Sequence, residues 1–219
     1  MRRLDGAINN LIMKADLKGI KSIILDLGRV ILTINLENTI TSFKEFGFPR
    51  IDEFDIIFSK YPFFRQFELG LITRKQFFSG IREACGKKLT DKVIRKAWNS
   101  MIGGYIEGTI PLVLKLGKKY RMFLLSNTNS THEKEYNHRL KQDHGIENLS
   151  MIFEKVYYSH ALHLSKPDAE IFKYVLNDSH LIPGETLYID DILVHIESAA
   201  KLGIRGIHLD PPLKLTDLF

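Results

Sequence analysis

Four groups of polar residues, each placed after an apolar run, are the chemically informative part of this sequence. The runs cover residues 22–25, 122–125, 156–158 and 187–189, and the polar groups after them are Asp26, Ser126-Asn127, Lys166 and Asp190-Asp191. A carboxylate can attack phosphorus, a lysine can neutralise phosphate oxygens, and adjacent acids suit a hard cation such as Mg²⁺. The set therefore favours phosphoryl transfer to a carboxylate.

Parallel strands are the elements expected to bring these groups together. Short apolar runs bounded by turn signals are typical of buried strands. Past residue 105 such runs alternate with helical patterns, which predicts an α/β fold with a Rossmann-like parallel sheet and helices on both faces. Ligands of such sheets bind beyond the carboxyl ends of the strands, where all four polar groups are expected to lie.

Residues 35–105 show helical periodicity instead of apolar runs. Four helices are predicted here, and their start signals are Asn35, Asp52, the Thr73–Gln76 capping box and Thr90-Asp91. The third is expected to end at Gly86 and the fourth at Gly103-Gly104. Residues 1–20 precede the first strand, and we expect a packed helix or a loose arm without a function of its own.

The order of the polar groups resembles that of the haloacid dehalogenase superfamily of hydrolases over nearly the whole chain. The first motif, Asp26-Leu27-Gly28, and the second, Ser126-Asn127-Thr128-Asn129, are similar to those of bacterial sugar-phosphate phosphatases. The resemblance implies a Rossmann-like catalytic core over 1–34 and 106–219, and a helical cap over 35–105. The cap would set substrate specificity, with Phe63, Phe64, Arg65 and Trp98 as candidates that face the site.

The resemblance also implies a role for each polar group. Asp26 is the expected nucleophile, which forms an aspartyl-phosphate. Lys166 is the second expected catalytic residue; it binds the phosphoryl oxygens and keeps Asp26 ionised. Ser126 and the backbone N–H of Asn127 are expected to donate hydrogen bonds to the same oxygens.

A Mg²⁺ ion is the cofactor that the resemblance implies. Asp26, Asp191 and the backbone carbonyl of Gly28 are the expected ligands, and Asp190 is expected to act through a water molecule. Hard oxygen donors of this kind are the usual ligands of Mg²⁺. The expected substrate is a small phosphorylated metabolite, such as a sugar phosphate.

Two positions depart from the family pattern. Gly28 stands where most phosphatases of the family carry a second aspartate, which protonates the leaving group and then activates water. Such acid–base help is worth roughly 10²–10⁴-fold, so we expect slow turnover of poor leaving groups. His195 stands where the acidic motif usually continues to an Asn or Asp, and a packing role suits it as well as a catalytic one.

Two alternative functions stay open at this point. The first is a non-catalytic phosphometabolite-binding or interaction protein that has lost turnover, which Gly28, Ile192 and His195 would suit. The second is a 2-haloacid dehalogenase, which also attacks with an aspartate. A dehalogenase needs no metal, so the Asp190-Asp191 pair disfavours it.

Composition narrows the class of protein. The 219 residues carry a formal net charge of +5 with scattered lysines, and we expect no nucleic-acid partner. No run approaches the roughly 18–20 apolar residues of a membrane span, and the N-terminus lacks the apolar centre of a signal peptide. The single cysteine, Cys85, is expected to be a buried structural thiol in a reducing compartment. The expectation is a cytoplasmic protein without membrane contact, either a monomer or a homodimer.

The eight histidines include no set that predicts a zinc site. His132, His138 and His144 fall on a polar helix or loop and are expected to be solvated. His160 and His163 precede Lys166, which makes them candidates for the entrance of the site.

Overall fold

A computed structural model describes residues 14–49 and 60–219 of the chain. Seven strands occur in these residues: β1 Ser22–Leu25, β2 Leu32–Ile34, β3 Ile102–Tyr105, β4 Arg121–Ser126, β5 Lys155–Tyr158, β6 Thr186–Asp190 and β7 Arg205–His208. Five of them form a parallel sheet in the order β5-β4-β1-β6-β7. β2 and β3 form a separate antiparallel pair.

The described residues also contain nine α-helices. They are α1 Leu36–Glu45, α2 Phe63–Glu68, α3 Arg74–Cys85, α4 Asp91–Asn99, α5 Thr109–Leu116, α6 Ser130–His144, α7 Ser159–Leu162, α8 Ala169–Asp178 and α9 Leu193–Ala200. Three short 3-10 turns cover Leu149–Met151, Pro183–Glu185 and Leu215–Asp217. No helix in the described ranges is long and apolar enough to cross a membrane.

The sheet is covered on both faces, as the sequence predicts. Ile23 and Leu25 of β1 pack into a core that includes Val113 of α5 and Leu140 of α6. Ile24, between them, packs into a second core with residues of α8 and α9. Successive side chains of a strand point to opposite faces, so the two cores lie on opposite sides of the sheet.

The register aligns the carboxyl ends of the three central strands. Leu25 at the end of β1 pairs with Leu124 of β4 and with Ile189 of β6. The residue after Leu25 is Asp26, whose backbone N–H donates to the Ile189 carbonyl at 2.9 Å. The sheet therefore places Asp26 between the polar groups that follow β4 and β6.

Helices α1 to α4 lie between β2 and β3 in the chain, within the range predicted to be helical. Asn35 caps α1, a Thr73–Gln76 capping box opens α3, and Thr90 caps α4, as predicted. Their shared core is aromatic, and its buried members include Phe43, Phe48, Phe64, Phe67, Phe77, Phe78 and Trp98. Cys85 is partly buried against this core.

Three details differ from the sequence predictions or fall outside the described residues. The helix predicted from Asp52 and most of the 1–20 extension lie outside the described ranges. Helix α2 was not predicted. Gly103 and Gly104 lie in strand β3 rather than stopping a helix. A side chain at Gly103 would place its Cβ 2.8 Å from Cβ of Thr33, so glycine permits the close pairing of β3 with β2.

Candidate active site

Lys166 is the centre of the polar cluster at the carboxyl ends of the strands. Its Nζ donates to Asp26 Oδ1 at 2.6 Å, to Asp190 Oδ2 at 2.7 Å and to the Leu125 carbonyl at 3.0 Å. An ammonium group has three N–H donors, so all three are used. Lys166 is 2 % exposed, and such a buried charge is tolerated only with partners of this kind.

The protonation of Lys166 and Asp26 follows from this arrangement. Burial acts against the charge of Lys166, but the carboxylates of Asp26 and Asp190 outweigh it and raise the lysine pKa. Burial raises the pKa of Asp26 to about 6, and Lys166 opposes this rise. A second positive charge beside Asp26 would therefore favour the ionised carboxylate that a nucleophile requires.

Asp190, the last residue of β6, is fully buried and its carboxylate is already hydrogen-bonded from several sides. Besides Lys166 it accepts from the Tyr188 hydroxyl, from the Ile192 backbone N–H at 2.8 Å, and from His195 Nδ1 at 3.0 Å. Burial alone would raise the pKa of Asp190, but Lys166 and His195 hold it well below its usual range. Asp190 is therefore an ionised anchor for Lys166.

Asp191 completes a group of three carboxylates. One oxygen of each of Asp26, Asp190 and Asp191 lies within 4.8 Å of the others. Burial and the neighbouring Asp190 raise the pKa of Asp191, whereas Arg29, whose Nη1 lies 3.5 Å from Asp191 Oδ2, lowers it. Three clustered carboxylates and one buried lysine leave negative charge, and their hard oxygen atoms fit a Mg²⁺ ion.

The second motif reaches the same place from β4. Ser126 ends β4 and, with Asn127, lines a cavity of about 310 Å³ that also contains Asp26 and Lys166. The side chain of Asn127 is hydrogen-bonded to the backbone of Lys166 on both sides, at 2.9 and 3.0 Å. The structure thus brings together the seven residues expected to act on the phosphate and the metal: Asp26, Gly28, Ser126, Asn127, Lys166, Asp190 and Asp191.

The helical region supplies the other wall of the cavity. The lining residues that come from positions 35–105 are Leu36, Phe64, Glu68, Trp98, Met101 and Ile102. Phe64 and Trp98 were candidates from the sequence, whereas Glu68 was not. Arg65, another candidate, donates to Ser165 Oγ beside Lys166 instead of lining the cavity.

The histidines divide differently from the sequence expectation. His138 and His144 are exposed, as expected, but His132 is 7 % exposed and lines the cavity, so the expectation of a solvated side chain is wrong. The Trp98 ring stacks on His132 at 4.8 Å and excludes water. His160 and His163 contact Glu133 and the Leu69 carbonyl rather than the cavity.

Comparisons with known proteins agree in sequence and in structure. The family model for haloacid dehalogenase-like hydrolases matches residues 87–209. A D-ribitol-5-phosphate phosphatase of Bacteroides thetaiotaomicron is 30% identical over 191 residues, which cover 85% of this chain and 90% of that protein.

Solved structures extend the likeness to the whole fold. A HAD-family enzyme of Bacteroides thetaiotaomicron, solved in complex with magnesium and inorganic phosphate, has a TM-score of 0.82 and 37% identity, covering 91% of this chain and 99% of that one. A HAD-like family hydrolase of Porphyromonas gingivalis has a TM-score of 0.80 and 29% identity, covering 88% and 92% of the two chains.

Proposed function

The chain belongs to the haloacid dehalogenase-like hydrolases, and we propose that it is a Mg²⁺-dependent phosphatase of small phosphorylated metabolites such as sugar phosphates. The observation that carries this proposal is the contact of one buried lysine, Lys166, with both Asp26 and Asp190. The proposal is supported by the 30% identical phosphatase, which acts on D-ribitol 5-phosphate.

In the proposed reaction Asp26 attacks phosphorus and the substrate alkoxide leaves. Water then attacks the aspartyl-phosphate and releases inorganic phosphate. Ser126 and the backbone N–H of Asn127 donate hydrogen bonds that orient the phosphoryl oxygens, and the positive charge of Lys166 neutralises them. Asp190 accepts from the same Lys166 Nζ at 2.7 Å and so holds the lysine in place.

Mg²⁺, when bound, supplies the charge neutralisation that lets a carboxylate approach a phosphate dianion. We assign its binding to Asp26, Asp191 and the Gly28 carbonyl. Asp190 already accepts hydrogen bonds from four groups, so we assign it contact with the ion through a water molecule.

The size of the cavity and its apolar walls limit the substrate. A volume of about 310 Å³ lies at the low end of small-molecule sites, which span roughly 300–1,000 Å³. We assign residues 35–105 as a cap whose side chains contact the part of the substrate beyond the phosphate. Residues 1–34 and 106–219 would then form the catalytic core.

A phosphate-release assay tests the proposal. Purified protein is given D-ribitol 5-phosphate, a panel of other sugar phosphates and 4-nitrophenyl phosphate, with Mg²⁺ or with EDTA. Release should require Mg²⁺ and should be lost in Asp26→Asn, since an amide cannot form the acyl phosphate. Asp16→Asn, which removes an exposed acid, is the matched control and should keep wild-type activity.

Two other results identify the alternatives. Binding of phosphate or of sugar phosphates without any turnover would indicate a non-catalytic binding protein. Metal-independent release of chloride from 2-chloropropionate would indicate a dehalogenase.

A further inference from the structure

Gly28 leaves no side chain beside the nucleophile that could move a proton. A Cβ placed on Gly28 would lie 3.2 Å from Cγ1 of Ile34 and 3.8 Å from Oδ2 of Asp26, so a side chain fits there if Ile34 shifts by a few tenths of an ångström. Hydrolysis of an alkyl phosphate through Asp26 nevertheless needs a proton for the departing alkoxide and a base for the attacking water. The side chain that donates and accepts this proton must therefore come from elsewhere in the cavity.

Most ionisable side chains of the cavity already have charge or hydrogen-bond partners and are not free to transfer this proton. Asp26, Asp191 and Lys166 belong to the charge cluster, and His195 Nδ1 faces the Asp190 carboxylate. His132 is held neutral: Nε2 donates to the Trp98 carbonyl at 3.1 Å, and Nδ1 accepts from Asn129 at 3.1 Å. Burial raises the pKa of Tyr136 well above its ordinary value, which makes it a poor proton donor near neutral pH.

Glu68 is the carboxyl group that lines this cavity from the helical region. It is the last residue of α2, and its side chain is 22% exposed. Its backbone carbonyl accepts from Ser159 Oγ at 2.8 Å, which fixes the end of α2 on α7, the short helix before Lys166. A carboxyl group on such a fixed backbone can be positioned over a substrate rather than swing in solvent.

The Glu68 side chain is also oriented by a specific partner. Arg65 Nη1 donates to Glu68 Oε1 at 2.5 Å, and Arg65 Nη2 donates to Oγ of Ser165, the residue before Lys166. Arg65 thus holds one carboxyl oxygen. No hydrogen bond is found for Oε2 within the part of the chain that the structure describes.

The surroundings of Glu68 suit proton exchange. Burial raises its pKa, while Arg65, Lys166 and His195 act against the rise. Asp168 is a further acid near Arg65, with its Oδ2 3.9 Å from Arg65 Nη2. A glutamate whose pKa is raised towards the working pH can both donate and accept a proton.

We propose that Glu68 is the general acid and general base of this phosphatase, replacing from the cap the side chain that Gly28 lacks. The inference rests on the proposed function. As the bond from phosphorus to the ester oxygen breaks and the bond to Asp26 forms, the Glu68 carboxyl gives its proton to the alkoxide. In the second step the Glu68 carboxylate takes a proton from water while the water oxygen bonds to phosphorus and the bond to Asp26 breaks.

Glu68→Gln is the direct test, because glutamine keeps the size of the side chain and an oxygen for Arg65. On D-ribitol 5-phosphate, or the best alkyl phosphate found, kcat/KM, which reports formation of the aspartyl-phosphate, should fall by roughly 10²–10⁴-fold. On 4-nitrophenyl phosphate, whose leaving group needs little protonation, kcat/KM should fall less than tenfold. Loss of the base slows hydrolysis of the aspartyl-phosphate that both substrates share, so kcat should fall on both and the acidic limb of its pH profile should shift. Glu83→Gln removes an exposed charge on α3 and should leave both rates unchanged.

The double variant Gly28→Asp with Glu68→Gln provides the rescue. If Glu68 supplies proton transfer, an aspartate two residues after the nucleophile can take over that role. The double variant should then hydrolyse the alkyl phosphate at least ten times faster than Glu68→Gln alone. Equal losses of kcat/KM on both substrates, a change in KM alone, or no rescue in a double variant with the unfolding midpoint of Glu68→Gln would overturn the inference. Failure of the proposed function itself looks different, since wild-type protein would then release no phosphate from either substrate.

Discussion

The side-chain amide of Asn127 forms two hydrogen bonds with the backbone of Lys166, thirty-nine residues further along the chain. Asn127 Nδ2 donates to the Lys166 carbonyl at 2.9 Å, and Asn127 Oδ1 accepts from the Lys166 N–H at 3.0 Å. The second motif therefore has a structural role besides the phosphate contact proposed for its backbone N–H. It also fixes the backbone that carries the buried lysine.

Asn127→Ala should misplace Lys166 without removing it. Both hydrogen bonds are lost and the lysine backbone groups are left unpaired, which should cost about 1–3 kcal/mol of unfolding free energy. A displaced Lys166 should lower kcat by roughly 10- to 100-fold. Urea unfolding and steady-state kinetics measure the two effects. If the variant is destabilised but keeps the wild-type kcat, the two hydrogen bonds from Asn127 do not position the lysine for catalysis.

Asp191→Asn should raise the Mg²⁺ concentration needed for half-maximal activity at least tenfold, because a neutral amide binds a hard cation less strongly than a carboxylate. Mg²⁺ titration by calorimetry gives a readout that does not depend on turnover. The control is Asp210→Asn, an exposed acid just after β7, which should keep the wild-type Mg²⁺ affinity. An unchanged affinity in Asp191→Asn would move the metal site away from this carboxylate.

The strand-end residues could be predicted because each has a local signal. Asp26, Ser126 and Asp190 directly follow or end apolar runs, and a parallel sheet necessarily gathers such positions at one edge. Capping residues such as Asn35 and Thr73 are local signals of the same kind, and both caps are present as predicted. Local patterns thus determine the core and the charged half of the site.

The helical wall of the cavity could not be predicted in the same way. Glu68 ends a helix of only six residues, too short for a clear periodic pattern, and it reaches the cavity only through contacts with residues about a hundred positions away. His132 lies on a polar helix, and its burial depends on Trp98, which comes from α4. Such positions are decided by tertiary packing, which leaves no local trace in the sequence.

His132 should make the fold sensitive to mild acid. Burial lowers its pKa from the ordinary 6.5 to about 4. As the pH falls from about 6.5 towards 4, the unfolded chain binds a proton at this histidine and the folded protein does not, so stability is lost in that range by up to about 1.4 kcal/mol per pH unit. Above about pH 6.5 the contribution is fully present.

His132→Gln removes this proton uptake. The variant should be less stable than wild type near pH 7, because the stacking on Trp98 and two hydrogen bonds change, but the difference should shrink as the pH approaches 4. Urea unfolding at several pH values measures this. His138→Gln, on the exposed side of the same helix, is the matched control and should keep the wild-type unfolding free energy at pH 7. A His132→Gln difference that is constant with pH would contradict the assignment.

Gly70 marks a close contact between the helical region and the core. Its φ is +66°, and a Cβ at this position would lie 2.0 Å from the His160 carbonyl oxygen. Two hydrogen bonds close to this point, Ser159 Oγ to the Glu68 carbonyl and His163 Nδ1 to the Leu69 carbonyl, join the same two segments. A side chain at Gly70 must therefore push the end of α2 away from α7, the short helix before Lys166.

Gly86 provides a matched control for Gly70→Ala. Its φ is +61°, but nothing lies within 4 Å of a Cβ placed there. Gly86→Ala should cost only the strain of an alanine in the left-handed region, about 1–2 kcal/mol, with unchanged kinetics. Gly70→Ala should cost more unfolding free energy and should also lower kcat/KM, because Glu68 and Phe64 move away from the cavity. If the two variants have the same kcat/KM, contact between these segments is not needed for catalysis.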